Sequence, residues 1–357
     1  MKMTGRERLL CALDHREPDT VPIFECVYSR PLFAHVLGSV PEVFDLGSVM
    51  RLCIRMGYDF AFLPIPGTSG FRPAGMRSGE YTDEWGITYR IDPSTWPIDA
   101  GIRPPCANGA DLAHYQAPDP RDPARYETLR EALALARENG RGAVGNVRGP
   151  FSGAWQLFGL ENFSLLLYDE PETVHKALAL VADFAIEATR VMVEMGVDAV
   201  LYSDDYGSSL QPLLSPEHFR TFIVPQLARI VREAKRMGTR PILHSDGCIA
   251  PLLKDIHSAG FEGLHPIERC PGMDLAAVKR AYGADLCLFG NVDNKDVLVN
   301  GTPQDVEAMV RACIRAAAPG GGYCLSSDHS VHDDIPNENV FALYEAGRRW
   351  GAYPINA

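Results

Sequence analysis

The chain has 357 residues, of which 46% are hydrophobic and 22% charged, a composition typical of a globular protein that buries a large core. Its formal net charge of −12 argues against nucleic acid as a partner, because phosphate binding needs clustered Lys and Arg side chains. The sequence has no apolar run long enough to span a membrane, no apolar signal segment and no C-x-x-C pair among its nine cysteines, so we expect a reduced, cytoplasmic protein with no membrane partner.

The first predicted element is a helix near the N-terminus. Thr4 and Glu7 match a capping box, in which both side chains accept hydrogen bonds from free backbone amides. Leu9 and Leu13 supply an apolar face, and Pro18 prevents the helix from continuing. We therefore expect an N-terminal helical extension before the first strand.

Eight short apolar runs alternate with helical patterns along the rest of the chain. They lack the apolar–polar alternation of half-exposed strands, which indicates parallel strands buried on both faces. The predicted strands cover residues 21–24, 60–65, 142–147, 199–203, 241–244, 263–265, 286–289 and 323–326. This order predicts an α/β fold, a (β/α)8 TIM barrel, with residues 1–357 as a single domain.

One segment, at about residues 67–120, breaks this alternation and is rich in Gly and Pro. Within it, residues 81–85 and 87–91 flank Gly86, and the second of these stretches alternates apolar and polar side chains. We predict a small β-hairpin inserted after the second strand, on the mouth or the flank of the barrel. A lid and a purely structural excursion are both open interpretations of this insertion.

Polar residues follow the predicted strands where a barrel of this kind places its active site. His244 and Asp246 lie two apart at the end of the fifth strand, so their side chains point to the same side and can converge on one metal ion, proton or substrate group. The other candidates at strand ends are Glu25, Asn146, Arg148, Asp204, Asp205, His265, Glu268, Asn291, Asp293, Asp328 and His329. Together these groups favour an enzyme.

Each of these residues also has a structural interpretation. A single His or Asp at a strand end can cap the next helix or accept a loop amide. Asp205, before Tyr206 and Gly207, could organise a turn. His265, between Leu264 and Pro266, could be a core histidine with its hydrogen bonds satisfied.

Metal binding is the most specific interpretation of the cluster. Histidine and carboxylate ligands suit zinc, and a catalytic zinc keeps three protein ligands and one open position. His244, Asp246 and His329 would form such a set if the last strand carries His329 across the barrel. The same groups could instead act without a metal, as acid, base and substrate clamp.

Taken as a set, the motifs of this chain resemble those of the uroporphyrinogen decarboxylase superfamily, which also contains corrinoid-linked methyltransferases. The resemblance covers nearly the whole length and itself implies a (β/α)8 barrel. It rests on residues 4–8, 18–22, 203–207, 215–217, 244–247, 290–293 and 320–323, and on His329 ahead of residues 336–339.

The residues depart from those of true decarboxylases. Those enzymes carry an Arg-Gln-Ala-Gly-Arg segment after the first strand, which clamps the acidic porphyrinogen. In this chain residues 24–30 offer only Arg30, and Glu25 would repel carboxylates. The second strand also lacks the aspartate that those enzymes place against the pyrrole nitrogens. The comparison therefore argues against uroporphyrinogen decarboxylation.

The residues of this chain agree better with the methyltransferase branch of the superfamily. Its zinc enzymes resemble one another in a His-x-Cys pair at the fifth strand and a Cys near the eighth. Here His244 matches the histidine, Asp246 replaces the first cysteine, and His329 stands at the place of the second. Such an oxygen- and nitrogen-rich site looks suited to polarising an ether or phenolate oxygen. The resemblance thus implies O-demethylation of a small methylated substrate, such as a methoxylated aromatic compound, with a corrinoid protein as partner and methyl acceptor.

Three functions remain as hypotheses. The first is metal-assisted methyl transfer, for which the catalytic candidates are His244, Asp246, His329, Asp205 and Glu268. The candidates for holding the substrate are Tyr206, Glu25, Asn146, Arg148 and Asn291, with Trp85 as a further aromatic residue near the mouth. The second is a metal-independent decarboxylase of a small carboxylate substrate. The third, a binding barrel without catalysis, ranks last because so many ionisable groups crowd one rim.

Overall fold

The computed structural model describes residues 2–356, which alternate between strands and helices along most of the chain. The strands are β1 (Val27–Tyr28), β2 (Phe60–Pro64), β3 (Glu80–Thr82), β4 (Thr88–Arg90), β5 (Ala100–Arg103), β6 (Gly142–Arg148), β7 (Ala199–Ser203), β8 (Pro241–His244), β9 (Gly263–His265), β10 (Cys287–Val292), β11 (Tyr323–Ser327) and β12 (Val331–His332). The helices are α1 (Gly5–Leu13), α2 (Arg30–Leu37), α3 (Leu46–Met56), α4 (Gly109–His114), α5 (Glu127–Glu138), α6 (Pro150–Phe158), α7 (Leu160–Asp169), α8 (Pro171–Met195), α9 (Pro216–His218), α10 (Val224–Arg236), α11 (Leu253–Ala259), α12 (Leu275–Tyr282), α13 (Pro303–Ala317) and α14 (Asn337–Trp350). Among the helices described, none is long and apolar enough to cross a membrane.

Seven parallel strands form one curled sheet, in the order β2, β6, β7, β8, β9, β10 and β11. The predicted first strand, residues 21–24, forms only a single bridge, between Ile23 and Leu325, because Pro22 has no amide hydrogen to donate to a ladder. On its other side, the Asp59 amide donates to the Ile23 carbonyl at 2.8 Å. This segment therefore closes the sheet into the predicted (β/α)8 TIM barrel.

A buried carboxylate holds this closing segment, which we call the seam. Asp59 is fully buried and accepts hydrogen bonds from the Ile23 amide at 2.8 Å, from Arg8 Nη1 at 2.9 Å and from Arg348 Nη2 at 2.8 Å. Arg8 belongs to α1 and Arg348 to α14, so one carboxylate joins helices from both ends of the chain at the seam.

The barrel interior is filled by side chains that point inward from the strands. The predicted N-terminal helix is confirmed as α1, with the capping box of Thr4 and Glu7. Leu9 and Leu13 of this helix belong to the same buried cluster as inward-facing residues of the strands. The helix thus closes the end of the barrel at which the strands begin. The cluster comprises Leu9, Ala12, Leu13, Phe24, Phe60, Phe62, Val144, Ala199, Leu201, Ile242, Cys287, Phe289 and Cys324.

The insertion after β2 contains the predicted hairpin and one further strand. β3 and β4 pair antiparallel around Gly86, and β5 adds to the other side of β4. β5 was not predicted from the sequence because all four of its residues are exposed, so it lacks an alternating pattern. After β4 the chain passes through Trp96, Pro97 and Ile98, which reach the barrel mouth.

Candidate active site

A cavity of about 380 Å³ opens at the carboxyl ends of the barrel strands, and we call it the axial cavity. Its lining combines ionisable groups from the strand ends with apolar groups from the insertion. The predicted site residues that line it are Asn146, Asp205, His244, Asp246, His265 and His329. The barrel strands therefore bring together residues from five different strand ends, as the fold predicts.

Three of these residues form a group that could hold a metal ion. His244 Nε2 lies 3.5 Å from Asp205 Oδ1 and 3.6 Å from Asp246 Oδ2. One ligand atom from each of the three residues lies within 4.8 Å of the other two. In addition, Asp246 Oδ1 is buried and accepts no hydrogen bond from the described residues. Two carboxylates and one imidazole suit a divalent cation such as zinc, with a coordination position left for substrate.

His329, the third ligand expected from the sequence, lies beside this group. Its Nε2 is 3.4 Å from Asp246 Oδ2, whereas Asp205 supplies the third ligand atom of the cluster. Asp205 is also fixed relative to Asp246, because its Oδ1 accepts a hydrogen bond from the Asp246 amide at 3.1 Å. The loop after β7 therefore adds Asp205 to the candidate metal-binding group, although the sequence predicted a catalytic role for this residue.

His244 is oriented by a second histidine. The Nδ1 atoms of His244 and His265 are 2.7 Å apart, and the two rings stack with an interplanar angle of 25°. Burial lowers the pKa of His265 well below its usual value, so this ring is neutral. If the Nε2 lone pair of His244 binds a cation, the His244 proton must reside on Nδ1 and be donated to His265. His265 is thus more than a core histidine, since it can fix the tautomer of a ligand.

The charges of the cluster are set by its close contacts. The Asp246 carboxylate stabilises the His329 imidazolium and raises the pKa of His329 to about 9. Burial alone would raise the pKa of Asp246, but the charges of His244 and His329 outweigh it and hold that pKa well below the usual value. Burial and the adjacent Asp246 charge raise the pKa of Asp205. At neutral pH a cationic His329 therefore lies beside an anionic Asp246.

Three residues predicted to hold substrate lie behind the cavity wall. Tyr206 is fully buried, and its hydroxyl donates to Asp204 at 2.6 Å. Arg148 is 1% exposed and donates from Nε to the Thr68 carbonyl at 2.9 Å, beneath the insertion. Trp85 is also fully buried, in the insertion. None of the three lines the axial cavity as the structure describes it.

Glu25 supports the loop that carries His329. Its two oxygens face Ser327, whose amide lies at 2.8 Å and whose hydroxyl lies at 2.5 Å. The same hydroxyl also faces the His329 carbonyl, and it has only one proton to donate. A protonated Glu25 resolves this conflict by donating to Ser327, and burial raises the pKa of Glu25 to about 8. Glu25 is therefore neutral at pH 7 and binds the protein, not a substrate.

Glu268 and Asn291 also brace loops at the barrel mouth. Glu268 accepts hydrogen bonds from the Gly247 amide and, at 2.9 Å, from Lys295 Nζ. Gly247 is the residue directly after Asp246. The Asn291 amide group donates to the Ile267 carbonyl. These contacts position the cluster from outside the cavity.

The apolar part of the axial cavity was not predicted from the sequence. Tyr28, Phe62, Trp96, Ile98 and Leu201 line it together with the ionisable cluster. Trp96 and Ile98 come from the insertion, which therefore forms part of the mouth. Trp96, a large aromatic residue within a Gly- and Pro-rich segment, was the feature of the sequence that could have predicted this apolar wall.

A TIM barrel with histidines and carboxylates gathered at its mouth is an arrangement found in enzymes. Residues 84–350, most of the chain, match the uroporphyrinogen decarboxylase (URO-D) family. The chain therefore belongs to the URO-D family, which confirms the resemblance inferred from the sequence motifs.

Relatives of two kinds are similar to the chain. A methylcobamide:CoM methyltransferase MtaA from Methanosarcina barkeri is 28% identical over 357 residues, 97% of this chain and 98% of that protein. A uroporphyrinogen decarboxylase from Alkalilimnicola ehrlichii is 26% identical over 289 residues, 74% of this chain and 72% of that protein. Among solved structures, a methyltransferase from Methanosarcina mazei superposes with a TM-score of 0.73 at 23% identity, over 97% of this chain and 99% of that one. This superposition confirms the fold.

Proposed function

We propose that the protein transfers a methyl group from a small methylated substrate to a corrinoid carried by a partner protein, assisted by a metal ion such as zinc. The observation that carries this proposal is the group of Asp205, His244 and Asp246 on the wall of the axial cavity, with ligand atoms within 4.8 Å of one another. Similarity to methylcobamide:CoM methyltransferase MtaA over nearly the whole chain supports it.

The lining of the axial cavity argues against a porphyrinogen substrate. Among the residues described around this cavity there is no Lys or Arg, and His329 is already paired with Asp246, whereas a substrate with several carboxylates needs several cationic partners. Asp205 and Asp246 instead add negative charge. The site is better suited to a neutral or cationic methylated compound.

Asp205, His244 and Asp246 would hold the ion, and His265 would fix the tautomer of His244. A bound zinc would supply Lewis acidity to the heteroatom that carries the methyl group. Ser203 donates to Asn146 Oδ1 at 2.7 Å, which fixes the orientation of this amide on the cavity wall. The apolar wall at Tyr28 and Trp96 excludes water from the reacting group.

His329 supplies the proton that the reaction needs. The bond between the methyl carbon and the heteroatom breaks, and its electron pair stays on the heteroatom. The methyl group passes to the reduced cobalt of the corrinoid, which is the second substrate. His329 lines the axial cavity beside Asp246, with its Nε2 3.4 Å from Asp246 Oδ2, so it is placed to transfer a proton to the departing heteroatom.

The test combines zinc analysis with corrinoid spectroscopy. Purified protein is mixed with cob(I)alamin and a panel of methylated ethers, amines and thiols, and conversion to methylcobalamin is followed by absorbance. We expect conversion by the wild type, and loss of both zinc and conversion in His244→Ala and Asp205→Asn. The matched control is Asp293→Asn, because Asp293 caps a helical turn by accepting the Asp296 amide at 2.7 Å.

Two outcomes would contradict the proposal. Full conversion by zinc-free protein would remove the metal from the mechanism. Release of carbon dioxide from a small carboxylate, without any corrinoid, would instead favour the decarboxylase.

A further inference from the structure

The three residues of the candidate metal-binding group differ in how closely the protein surrounds their side chains. The side chain of Asp205 is 51% exposed, whereas those of His244 and Asp246 are 19% and 27% exposed. An exposed side chain keeps more rotamer freedom, so holding it in one position as a ligand costs more conformational entropy. The placement of Asp205 therefore depends strongly on what holds its backbone.

The backbone of Asp205 is held by helix α6 as well as by the barrel sheet. The amides of the residues before and after it donate at 2.9 Å to the His244 carbonyl and to Ser245 Oγ, respectively, so both bonds run to β8 and its loop. The Asp205 amide itself donates to Ser152 Oγ at 3.1 Å. Because Ser152 lies in α6, a side chain of this helix holds the amide of the most exposed ligand.

Asp204 in turn holds the first turn of α6. Its fully buried carboxylate accepts hydrogen bonds from the amide of Phe151 at 3.1 Å and from that of Ser152 at 2.5 Å. The first amides of a helix have no partner within the helix, and the helix dipole favours a negative charge beside them. The helix and the loop after β7 are thus joined in both directions, since Ser152 accepts from one residue of that loop and donates to the other.

Gly149 leaves the space that this contact needs. It lies at the N-cap of α6, where it has no side chain with which to cap the helix. A Cβ atom at this position would lie 2.3 Å from Asp204 Cβ, far inside the ~3.5–4.0 Å at which two carbon atoms pack. Its φ of −79° suits any residue, so only the lack of space requires glycine here. Asp204 therefore caps α6 in place of a side chain from the helix itself.

From these contacts we infer that Asp204 and Ser152 are positioning residues for the metal ion, because they tie the backbone of Asp205 to α6. This role rests on the proposed function, in which Asp205 is one of the ligands. Neither positioning residue belongs to the ligand group. Without the Ser152 hydroxyl, the Asp205 amide loses its acceptor. The carboxylate then loses the fixed backbone from which its Oδ1 accepts the Asp246 amide.

The test measures metal binding in variants of Ser152. Zinc dissociation constants are obtained by competition with a chelating dye, and the visible absorption of cobalt(II)-loaded protein reports the geometry of the ligands. We expect Ser152→Ala to weaken zinc binding about tenfold, and to change the cobalt(II) absorption in the same direction as Asp205→Asn. Ser152→Thr keeps the hydroxyl and should restore both properties to nearly those of the wild type.

Gly149→Ala tests the same contact without removing any polar group. Its methyl group would displace Asp204 from α6, so zinc affinity should again fall about tenfold. The matched control is Ser48→Ala. Ser48 is also buried, and its hydroxyl accepts a hydrogen bond from Arg51 Nη2 at 3.3 Å in α3, which contributes no residue to the lining of the axial cavity. We expect this control to bind zinc as the wild type does. Thermal unfolding of the metal-free proteins checks that each variant folds.

Wild-type zinc affinity and cobalt(II) absorption in Ser152→Ala would overturn the inference. Equal losses in Ser152→Ala and Ser48→Ala would also overturn it, because the effect would then be one of general stability. If the wild type bound neither zinc nor cobalt(II), the positioning role would fail together with the metal.

Methylation of cob(I)alamin is measured separately to distinguish this role from the proposed function. If Ser152→Ala weakens zinc binding as expected but the wild type never methylates cobalt, the positioning role stands and methyl transfer fails. If the wild type methylates cobalt and Ser152→Ala binds zinc as tightly as the wild type, methyl transfer stands and the positioning role fails.

Discussion

The contact between His244 and His265 gives a quantitative prediction for His265→Phe. The His265 ring packs among Phe24, Phe62 and Phe289, with ring centroids 5.4, 4.9 and 6.2 Å away. Because His265 is neutral, a phenylalanine replaces it there without removing a charge. The substitution does remove the only acceptor that the structure describes for a proton on His244 Nδ1.

The expected effect is on metal affinity. Loss of the hydrogen bond frees His244 to rotate and to place its proton on Nε2, which cannot then bind a cation. Removing such a supporting group typically weakens metal binding ~10- to 100-fold, or about 1.4–2.8 kcal/mol. Zinc dissociation constants are measured by competition with a chelating dye, and folding is checked by thermal unfolding.

The control for this prediction is His332→Phe. His332 lines the same cavity, but its Nε2 contacts Asn294 Oδ1 at 3.0 Å and not the cluster. We expect its zinc affinity to equal that of the wild type. A His265→Phe protein that binds zinc within twofold of the wild type would refute the role of His265. An equal loss in both variants would show that the effect is not specific to this contact.

Glu25→Gln should remove a pH dependence of stability. Burial raises the pKa of Glu25 to about 8, so its contribution is full below the unfolded value of ~4.3 and is lost as the pH rises through 8. Urea unfolding at pH 5 and pH 9 should show the wild type losing about 4 kcal/mol relative to the variant. Asp246→Asn should lower the pKa of His329 from about 9 toward ~6.5, measured by NMR titration, because the stabilising carboxylate charge is gone. Asp59→Ala should lower the free energy of unfolding by about 3–5 kcal/mol, measured in urea, because it leaves two guanidinium groups without their shared carboxylate.

Each of these three predictions would be contradicted by a specific result. Parallel pH profiles for the wild type and Glu25→Gln would mean that Glu25 is ionised in the folded protein. An unchanged His329 titration in Asp246→Asn would assign the shift to another group. The control for Asp59 is Asp255→Ala, which breaks an exposed ion pair and should cost less than about 1 kcal/mol. Equal losses in the two variants would refute the role of the buried cluster.

The fold was predictable because its signals are local. Continuous apolar runs located seven barrel strands and the closing segment, and Gly86 between two β-forming stretches located the hairpin. The exposed residues of β5 carry no such pattern, since its pairing with β4 depends on the tertiary position of the insertion. Pro22 was a reason to predict that the first apolar run, residues 21–24, would not form a regular strand.

The site was predictable where strand geometry alone decides it. His244, the last residue of β8, and Asp246, two residues further in the loop, both line the axial cavity, as their spacing at a strand end predicted. The contribution of Asp205 depends on how the β7 loop folds against the β8 loop, which no single segment encodes. The same holds for Glu25: whether a carboxylate at a strand end faces a ligand or a neighbouring loop depends on residues about 300 positions away, here Ser327.

The seam has a consequence for how the chain is made on the ribosome. Ile23 bridges to Leu325, Arg348 binds Asp59, and the Gly351 carbonyl accepts the Val21 amide at 2.8 Å. The partners of the first strand position are therefore translated only after β2 to β10. Until they emerge, the segment at residues 21–24 has a free edge, and unpaired edges of this kind promote aggregation of nascent chains. The barrel thus closes only after these distant partners have been translated, and the nascent chain is exposed to such aggregation until then.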